Sequence, residues 1–104
     1  MRLYERRTIT QFISRYEDAR HPLLAWVREI EAARYESPVQ LRRRHGSADF
    51  VGDKVVFDIL NNRYRLIARV RYADLRAEPP LNGMVFIVFL GTHAQYDRVD
   101  VEKL

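Results

Sequence analysis

The sequence is constrained most by an uninterrupted apolar run near its C-terminal end, Met84-Val85-Phe86-Ile87-Val88-Phe89-Leu90. The run is too short for a membrane-spanning helix, which needs about 20 apolar residues. A loop with the pair Pro79-Pro80 precedes it and Gly91 ends it, as is usual at the two ends of a strand. A strand without polar alternation is typical of the middle of a sheet. We therefore predict a central strand over residues 84–90.

Two strands before this run are predicted to form a hairpin. Residues Lys54 to Leu60 are strand-like, and Arg63 to Tyr72 alternates apolar with charged side chains. Asn61-Asn62 stands between them, and asparagine tolerates the positive φ that tight hairpin turns need. Together with the central strand, the two segments predict an antiparallel meander of three strands.

Helical patterns occupy the N-terminal third. From Pro22 to about Glu36, apolar residues recur at helical spacing, and proline is well tolerated in the first turn of a helix. Thr8 and Gln11 fit a capping box, which predicts a shorter helix that ends near Arg20. These patterns predict two helices before the meander.

The whole order predicts a single α+β domain over residues 1–104. A short N-terminal strand within residues 1–6 comes first, then the two helices, one or two helical turns over 38–44, and the meander, with its helices packed on one face. The chain starts without the apolar run of a secretion signal, so we expect a cytoplasmic protein. It has no cysteine, which excludes disulfides, thiol catalysis and thiolate zinc sites.

The positive charge is concentrated in the middle third. Residues 39–72 contain eight basic and three acidic residues, whereas the whole chain has a formal charge of only +4. Of the 18 basic residues in the chain, 16 are arginine, whose planar guanidinium suits bidentate contacts with phosphate. A concentrated positive patch favours a polyanionic partner, of which nucleic acid is the commonest.

Strand alternation predicts that this charge forms a cationic face. Arg63, Arg65, Arg69 and Arg71 share one side of their strand, and the apolar even-numbered residues share the other, which we expect to pack on the helices. The alternative is a solvated strand face without a partner. Such a face more often mixes signs, because like charges opposite each other repel. Four arginines without an acid between them therefore favour polyanion binding.

The segment after the central strand carries a candidate acid–base group. If it is helical, His93 and Asp97 are neighbours four positions apart, and Tyr96 lies beside them. An imidazole that a carboxylate orients can transfer protons near neutral pH. A purely structural histidine is the alternative. His21, His45 and His93 lack the spacing of metal ligands, so we expect no metal and no cofactor.

Four segments carry a resemblance to a known family. They are Ala48-Asp49, Val55-Val56-Phe57-Asp58-Ile59, Asn62-Arg63-Tyr64-Arg65-Leu66-Ile67 and Phe89-Leu90-Gly91-Thr92-His93-Ala94-Gln95-Tyr96-Asp97. In these segments the chain resembles the HigB-type toxins of the RelE-like superfamily of toxin–antitoxin systems. The similarity extends over nearly the whole chain and is strongest in 55–67 and 86–97. Gln95 departs from it, because relatives often have an acidic residue there, and the loop from Asp74 to Gly83 is longer than usual.

The resemblance implies a RelE-like fold and an mRNA interferase, an endoribonuclease that cleaves transcripts on the translating ribosome. It implies that a HigA-like helix-turn-helix antitoxin holds the toxin inactive. DNA would then be contacted only through the antitoxin, and no membrane would be involved.

Metal-free RNA cleavage uses the 2′-hydroxyl of the substrate as nucleophile, and the protein must move protons and stabilise charge on the phosphate. We predict Arg65 and Lys54 for phosphate stabilisation and His93 as the acid or base. Tyr96 is predicted to stack on a base or to help transfer a proton. Asp97 is predicted to orient His93, with capping of the last helical turn or an ion pair with Arg98 as the alternatives. The remaining arginines of the patch are predicted to hold the RNA backbone: Arg42, Arg43, Arg44, Arg63, Arg69 and Arg71.

Two other functions fit parts of the sequence. Residues 8–36 would form a helix-turn-helix if the protein bound DNA directly. The basic excess lies downstream of them, however, and the second helix carries Glu29, Glu31 and Glu36. The other alternative is a non-catalytic protein that binds only nucleic acid or an antitoxin.

Overall fold

A computed structural model describes all residues from Met1 to Leu104. Its strands are β1 (Arg2–Tyr4), β2 (Asp49–Val51), β3 (Lys54–Ile59), β4 (Tyr64–Arg71) and β5 (Met84–Thr92). Its α-helices are α1 (Arg6–Arg15), α2 (Arg20–Ala32), α3 (Pro38–Arg44) and α4 (His93–Tyr96), and two 3₁₀ turns span Glu17–Ala19 and Val101–Lys103. No helix has both the length and the apolar character that crossing a bilayer requires.

The strands form one mixed sheet in the order β1-β5-β4-β3-β2. β3, β4 and β5 make the antiparallel meander expected from the sequence. β5 carries the apolar run and lies between β1 and β4, so the prediction of a central strand is confirmed. Its predicted end is wrong, because the strand continues through Gly91 to Thr92, which pair with Arg65 and Tyr64 of β4. The predicted strand count is too low, because β2 adds an antiparallel edge strand beside β3. β1 forms the other edge and pairs in parallel with β5, since the helices carry the chain across the sheet between them.

The helices pack on one face of the sheet, as predicted. A cluster of 22 buried residues joins them to the apolar side of β3, β4 and β5. Leu23, Trp26 and Ile30 form the buried stripe of α2, which is the stripe that helical spacing indicated. Trp26 contacts Phe57 of β3 edge to face, with ring centroids 5.3 Å apart. The α+β class is therefore confirmed.

The first helix begins and ends earlier than predicted. It starts at Arg6, and Glu5 takes the N-cap position with a left-handed backbone, φ 70°. Thr8 consequently lies within the first turn and does not cap the helix. The helix ends at Arg15 instead of near Arg20. The reason is tertiary, because the chain must turn into the helix layer directly after β1 has paired with β5.

The second helix is also displaced from its predicted range. It starts at Arg20, two residues before Pro22, and ends at Ala32 instead of near Glu36. Ala33 ends it because its backbone is extended, with ψ 160°. The predicted turns over 38–44 are confirmed as α3, whose N-cap Ser37 accepts a hydrogen bond from the backbone of Gln40.

The hairpin turn between β3 and β4 differs by one residue from the prediction. Positive φ angles occur at Leu60 (53°) and Asn61 (59°), and not at Asn61 and Asn62. β4 begins at Tyr64, so Arg63 belongs to the turn. The alternation that predicted the direction of the Arg63 side chain therefore does not apply to it.

The C-terminal segment, residues 97–104, covers part of the sheet face that lies away from the helices. Lys54 Nζ of β3 donates to the carbonyl oxygen of Glu102 at 3.4 Å. Arg69 Nη2 of β4 donates to the carbonyl oxygen of Leu104 at 2.9 Å. These contacts hold the end of the chain across two neighbouring strands.

Val56 and Ile67 demonstrate the extent of this cover. They are cross-strand partners on β3 and β4, and they are only 1% and 0% exposed. Neither belongs to the helix-side core. An uncovered cationic face was expected here, and that prediction is wrong for this part of the sheet.

Burial of one histidine predicts a pH-dependent stability. His45 is only 12% exposed in its side chain, its Nε2 lies 3.1 Å from Tyr35 Oη, and its ring packs edge-on against Phe57. Burial lowers the pKa of His45 from the ordinary value of 6.5, although Glu29 nearby acts in the opposite direction. The folded state therefore resists protonation of this ring more than the unfolded state does.

We expect the free energy of unfolding to fall as the pH is lowered below about 6.5, because the unfolded chain takes up the proton first. A single group limits the slope to about 1.4 kcal/mol per pH unit. Urea unfolding at pH 7.5, 6.5 and 5.5 measures the effect. The His45→Gln variant should flatten the dependence in this range, whereas the variant of exposed His21, His21→Gln, should retain it. Equal slopes for wild type and His45→Gln would contradict the expectation.

Candidate functional site

The start of α4 is fixed at the end of β5 by a capping box. Thr92 Oγ1 accepts from the backbone N–H of Gln95 at 3.1 Å, and Gln95 Oε1 accepts from the backbone N–H of Thr92 at 2.9 Å. A Cβ atom at Gly91 would lie 2.8 Å from Gln95 Oε1, so this glycine leaves room for the cap. Gln95 therefore has a structural role here. The cap sets the orientation of His93, the first residue of the helix.

His93 and Asp97 form the pair that their spacing predicted. His93 Nδ1 lies 3.6 Å from Asp97 Oδ1, and the imidazole is about half exposed. The carboxylate therefore faces one ring nitrogen at ion-pair distance, longer than a hydrogen bond. The other nitrogen, Nε2, has no protein partner and is open to a substrate.

Arg65 and Tyr96 meet from different elements. The guanidinium carbon of Arg65, on β4, lies 5.4 Å from the ring centroid of Tyr96 on α4, which is within the range of a cation–π contact. The backbone N–H of His93 donates to the carbonyl oxygen of Arg63 at 3.0 Å and so ties α4 to the start of β4. The fold thus assembles four predicted site residues, which we call the reactive group: Arg65, His93, Tyr96 and Asp97.

Arg65 is held in place by two contacts through the same nitrogen. Its Nη1 lies 3.1 Å from Asp58 Oδ1 and donates to the carbonyl oxygen of Asn62 at 2.9 Å. This ion pair was not predicted from the sequence. The hairpin register was the available signal, because Asp58 lies directly opposite Arg65 across β3 and β4. The face therefore mixes signs, contrary to the prediction of arginines without an acid between them.

Lys54 does not join the reactive group. It lies opposite Arg69, at the other end of β3 from Asp58, about 13 Å away along the strand. Its side chain is buried, and Nζ is 3.4 Å from the carbonyl oxygen of Glu102 and 3.6 Å from Asp53 Oδ1. Lys54 and Arg65 were both predicted to stabilise the phosphate, but they lie towards opposite ends of the hairpin and so do not share one site.

Arg63 turns to the helix side of the sheet. Its Nη1 lies 2.7 Å from Asp18 Oδ2, and Tyr64 Oη donates to the same carboxylate. Two hydrogen bonds hold the pKa of Asp18 below its usual value, and the one from Tyr64 has a larger effect than the one from Arg63. Arg63 is therefore engaged in an ion pair away from the reactive group, and not on the predicted face.

The three arginines of α3 also lie on the helix side. Arg44 Nη2 is 3.1 Å from Glu29 Oε1, and the guanidinium of Arg42 stacks over Phe50 with its carbon 4.8 Å from the ring centroid. Arg43 is exposed. The predicted RNA-binding group Arg42, Arg43 and Arg44 is thus separated from the reactive group by the sheet.

Arg69 and Arg71 lie on the same face of β4 as Arg65, as predicted. Arg69 Nε is 3.1 Å from Asp53 Oδ2, and the C-terminal segment accepts its second hydrogen bond. Arg71 is exposed and forms no ion pair. Among the arginines predicted to bind RNA, Arg71 alone is both on this face and without a counter-ion.

A five-stranded, mostly antiparallel sheet with helices on one face and a reactive group at the end of its last strand is compatible with the RelE-like fold, although the helix count exceeds the expected one. The model of the HigB_toxin family, the RelE-like toxic component of a toxin–antitoxin system, matches residues 19–99 and includes the whole reactive group. The chain therefore belongs to the HigB_toxin family. It is a toxin of a toxin–antitoxin system, and its partner is an antitoxin. No curated protein matches the sequence.

Proposed function

We propose that this toxin is an endoribonuclease, an mRNA interferase that cleaves transcripts on the ribosome in the cytoplasm. A HigA-like helix-turn-helix antitoxin neutralises it. The observation that carries the proposal is the reactive group, in which a fixed arginine, a half-exposed histidine with its orienting carboxylate, and a tyrosine meet in a member of a RelE-like family.

RNA carries its own nucleophile for this reaction. The ribose 2′-oxygen attacks the adjacent phosphorus, so that the P–O2′ bond forms and the P–O5′ bond breaks. The proton of the 2′-hydroxyl passes to a base, and the departing 5′-oxygen takes a proton from an acid. The products are a 2′,3′-cyclic phosphate and a 5′-hydroxyl end. Negative charge grows on the phosphate oxygens in the transition state, which therefore needs a fixed cation beside a proton-transfer group.

Arg65 supplies the fixed cation. A guanidinium has five N–H donors, and both protein contacts of Arg65 use Nη1, so Nη2 and Nε have no protein partner. The side chain is 14% exposed, and a phosphate would approach it through this exposed part. The contacts to Asp58 and Asn62 hold the group in place before substrate binds, so little reorganisation is needed during the reaction. Tyr96 covers one face of the guanidinium and presents its own outer face for stacking on a base.

His93 transfers the proton through Nε2, either from the 2′-hydroxyl or to the 5′-oxygen. Asp97 faces Nδ1 and keeps the free nitrogen directed outwards. The Tyr96 hydroxyl, on the same short helix as His93, is the candidate for the second proton transfer. We assign no phosphate contact to Lys54 while the C-terminal segment lies over it.

The arginines on α3 suit a different task. Arg42, Arg43 and Arg44 are exposed on the helix side, behind the reactive group. Positive side chains there can contact the phosphates of ribosomal RNA while the opposite face meets the transcript. This division of the basic residues supports action on the ribosome.

Mapping of transcript ends after brief expression tests the proposal. We expect new 5′ ends at discrete positions within translated reading frames, carrying 5′-hydroxyl groups, and we expect co-expressed antitoxin to suppress them. Primer extension on one translated transcript and on the same transcript without a start codon measures both cleavage and its dependence on translation. Growth arrest with intact transcripts would instead identify a non-catalytic binder.

A further inference from the structure

A second cavity lies at the end of the sheet opposite to the reactive group. It has a volume of about 640 Å³, is open to solvent, and is lined by the start of β1, the end of β4 and the loop before β5. Its charged lining residues are Arg2, Glu31, Arg34 and Arg71, and its aromatic lining residues are Tyr4 and Tyr72. We call it the distal cavity.

The distal cavity is positively charged. Arg2, Arg34 and Arg71 are exposed and have no carboxylate within ion-pair distance. Glu31 is the one acid in the lining, and Arg6 neutralises it through a contact of 2.5 Å. This contrasts with Arg65 and its neighbours on the sheet, which are paired with acids. Three uncompensated guanidinium groups around one cavity fit a ligand with several negative charges.

The same cavity offers a flat aromatic surface. Tyr4 of β1 stacks on Phe86 of β5 with ring centroids 4.6 Å apart and an interplanar angle of 10°. β1 is an edge strand, so the second face of the Tyr4 ring points beyond the sheet. A nucleic-acid base placed there would continue the stack. An acidic peptide would use the arginines but would gain nothing from this ring face, so the lining favours single-stranded nucleic acid.

The distal cavity and the reactive group lie at the two ends of β5. Met84 lines the cavity and Thr92 precedes α4, so the two are separated by about 26 Å of strand. Phe86 and Phe89 lie between them on the face away from the helices and are half-buried. At the stacked spacing of about 3.4 Å per nucleotide, roughly eight nucleotides span this distance.

We propose that the distal cavity holds the RNA substrate several nucleotides away from the bond that is cleaved. Tyr4 stacks on a base, and Arg2, Arg34 and Arg71 contact phosphates. The inference rests on the proposed RNA-cleaving function and adds to it a second contact that sets the length of RNA recognised.

Binding of a non-cleavable RNA tests this proposal. The probe is a fluorescent 12-nucleotide RNA with 2′-O-methyl riboses, which lacks the nucleophilic hydroxyl, and its affinity is measured by anisotropy at several salt concentrations. Tyr4→Leu should weaken binding by about 5-fold to 100-fold without changing the salt dependence, because it removes stacking and no charge. Tyr4→Phe keeps the ring and should bind like the wild type.

Arg71→Gln should weaken binding and reduce the slope of log affinity against log salt by about 0.7, the value for one phosphate contact to a single strand. Arg28→Gln, at an exposed arginine on the outer side of α2, is the control for the same change of charge and should bind as the wild type does. Unfolding midpoints equal to that of the wild type exclude misfolding of either variant.

Several outcomes would overturn the proposal. Wild-type affinity in both Tyr4→Leu and Arg71→Gln removes the distal cavity from RNA binding and leaves the proposed cleavage intact. If the Arg71→Gln variant bound a 12-residue poly-glutamate peptide less tightly than the wild type does while its RNA binding was unchanged, the cavity would be assigned to an acidic protein partner. Failure of the wild type itself to bind the RNA would also overturn this inference, whereas the proposed cleavage on the ribosome is decided separately by the mapping of transcript ends.

Discussion

The His93→Ala protein is expected to lose its ability to arrest growth while it folds as the wild type does. Loss of a positioned proton-transfer group lowers rates by about 10²-fold to 10⁴-fold. The side chain is 49% exposed and faces only Asp97, so its removal leaves no cavity in the core. The cleavage rate of one translated transcript, followed by primer extension, measures the first effect, and urea unfolding measures the second.

The matched control for this variant is His21→Ala, which removes an exposed histidine on α2 and should leave activity unchanged. Arg65→Ala should be as inactive as His93→Ala. Arg65→Ala also leaves Asp58 without its ion-pair partner. Arg65→Lys is therefore made beside it, because lysine keeps a positive charge at this position and removes only the planar guanidinium. Growth arrest at the wild-type rate in both His93→Ala and Arg65→Ala would show that the site assignment is wrong.

Replacing Ile67 by alanine is expected to destabilise the protein by about 3 kcal/mol. This is a large part of the roughly 5–15 kcal/mol that stabilises a domain of ordinary size. The side chain is 0% exposed although it faces away from the helices, on the same sheet face on which Lys54 and Arg69 bind the C-terminal segment. The free energy of unfolding in urea measures the loss.

Two leucine variants serve as controls for the loss of stability in Ile67→Ala, one at a buried position and one at an exposed position. Leu66→Ala removes a neighbour of Ile67 that is also 0% exposed but belongs to the helix-side core, and it should cost a similar amount. Leu24, on the outer side of α2, is 37% exposed, and Leu24→Ala should change stability by no more than about 0.5 kcal/mol. If Ile67→Ala behaved like Leu24→Ala, Ile67 would not be buried on this face of the sheet.

Local patterns in the sequence predicted much of the fold. The apolar run became the central strand β5, and the spacing of Leu23, Trp26 and Ile30 became the buried stripe of α2. The pairing of His93 with Asp97 was also accessible, since it depends only on the four-residue spacing within one helical turn. In each case the pattern of residues within a single helix or strand is enough to predict its type, its buried face or a contact within it.

The helix starts and the small strands were harder to predict. The pattern at Thr8 is a valid local cap, yet pairing of β1 with β5 moved the start of α1 to Arg6. β2 is only three residues long and has no alternation of its own, so it exists because β3 offers it a partner. The ends of helices and the existence of short strands depend on which segments pack together, and this packing outweighs local propensity.

The amino-acid sequence by itself therefore determined the order of the main elements, the face of each strand and the composition of the acid–base pair. Only the tertiary structure decided which charged side chains are paired or buried and which remain free to contact a ligand. It paired Arg63 with Asp18 across the helix layer and Arg65 with Asp58 across the hairpin, and it buried Lys54 under the end of the chain. The physical reason is that periodicity describes one element at a time. Counter-ions and burial depend on contacts between residues that lie far apart along the chain.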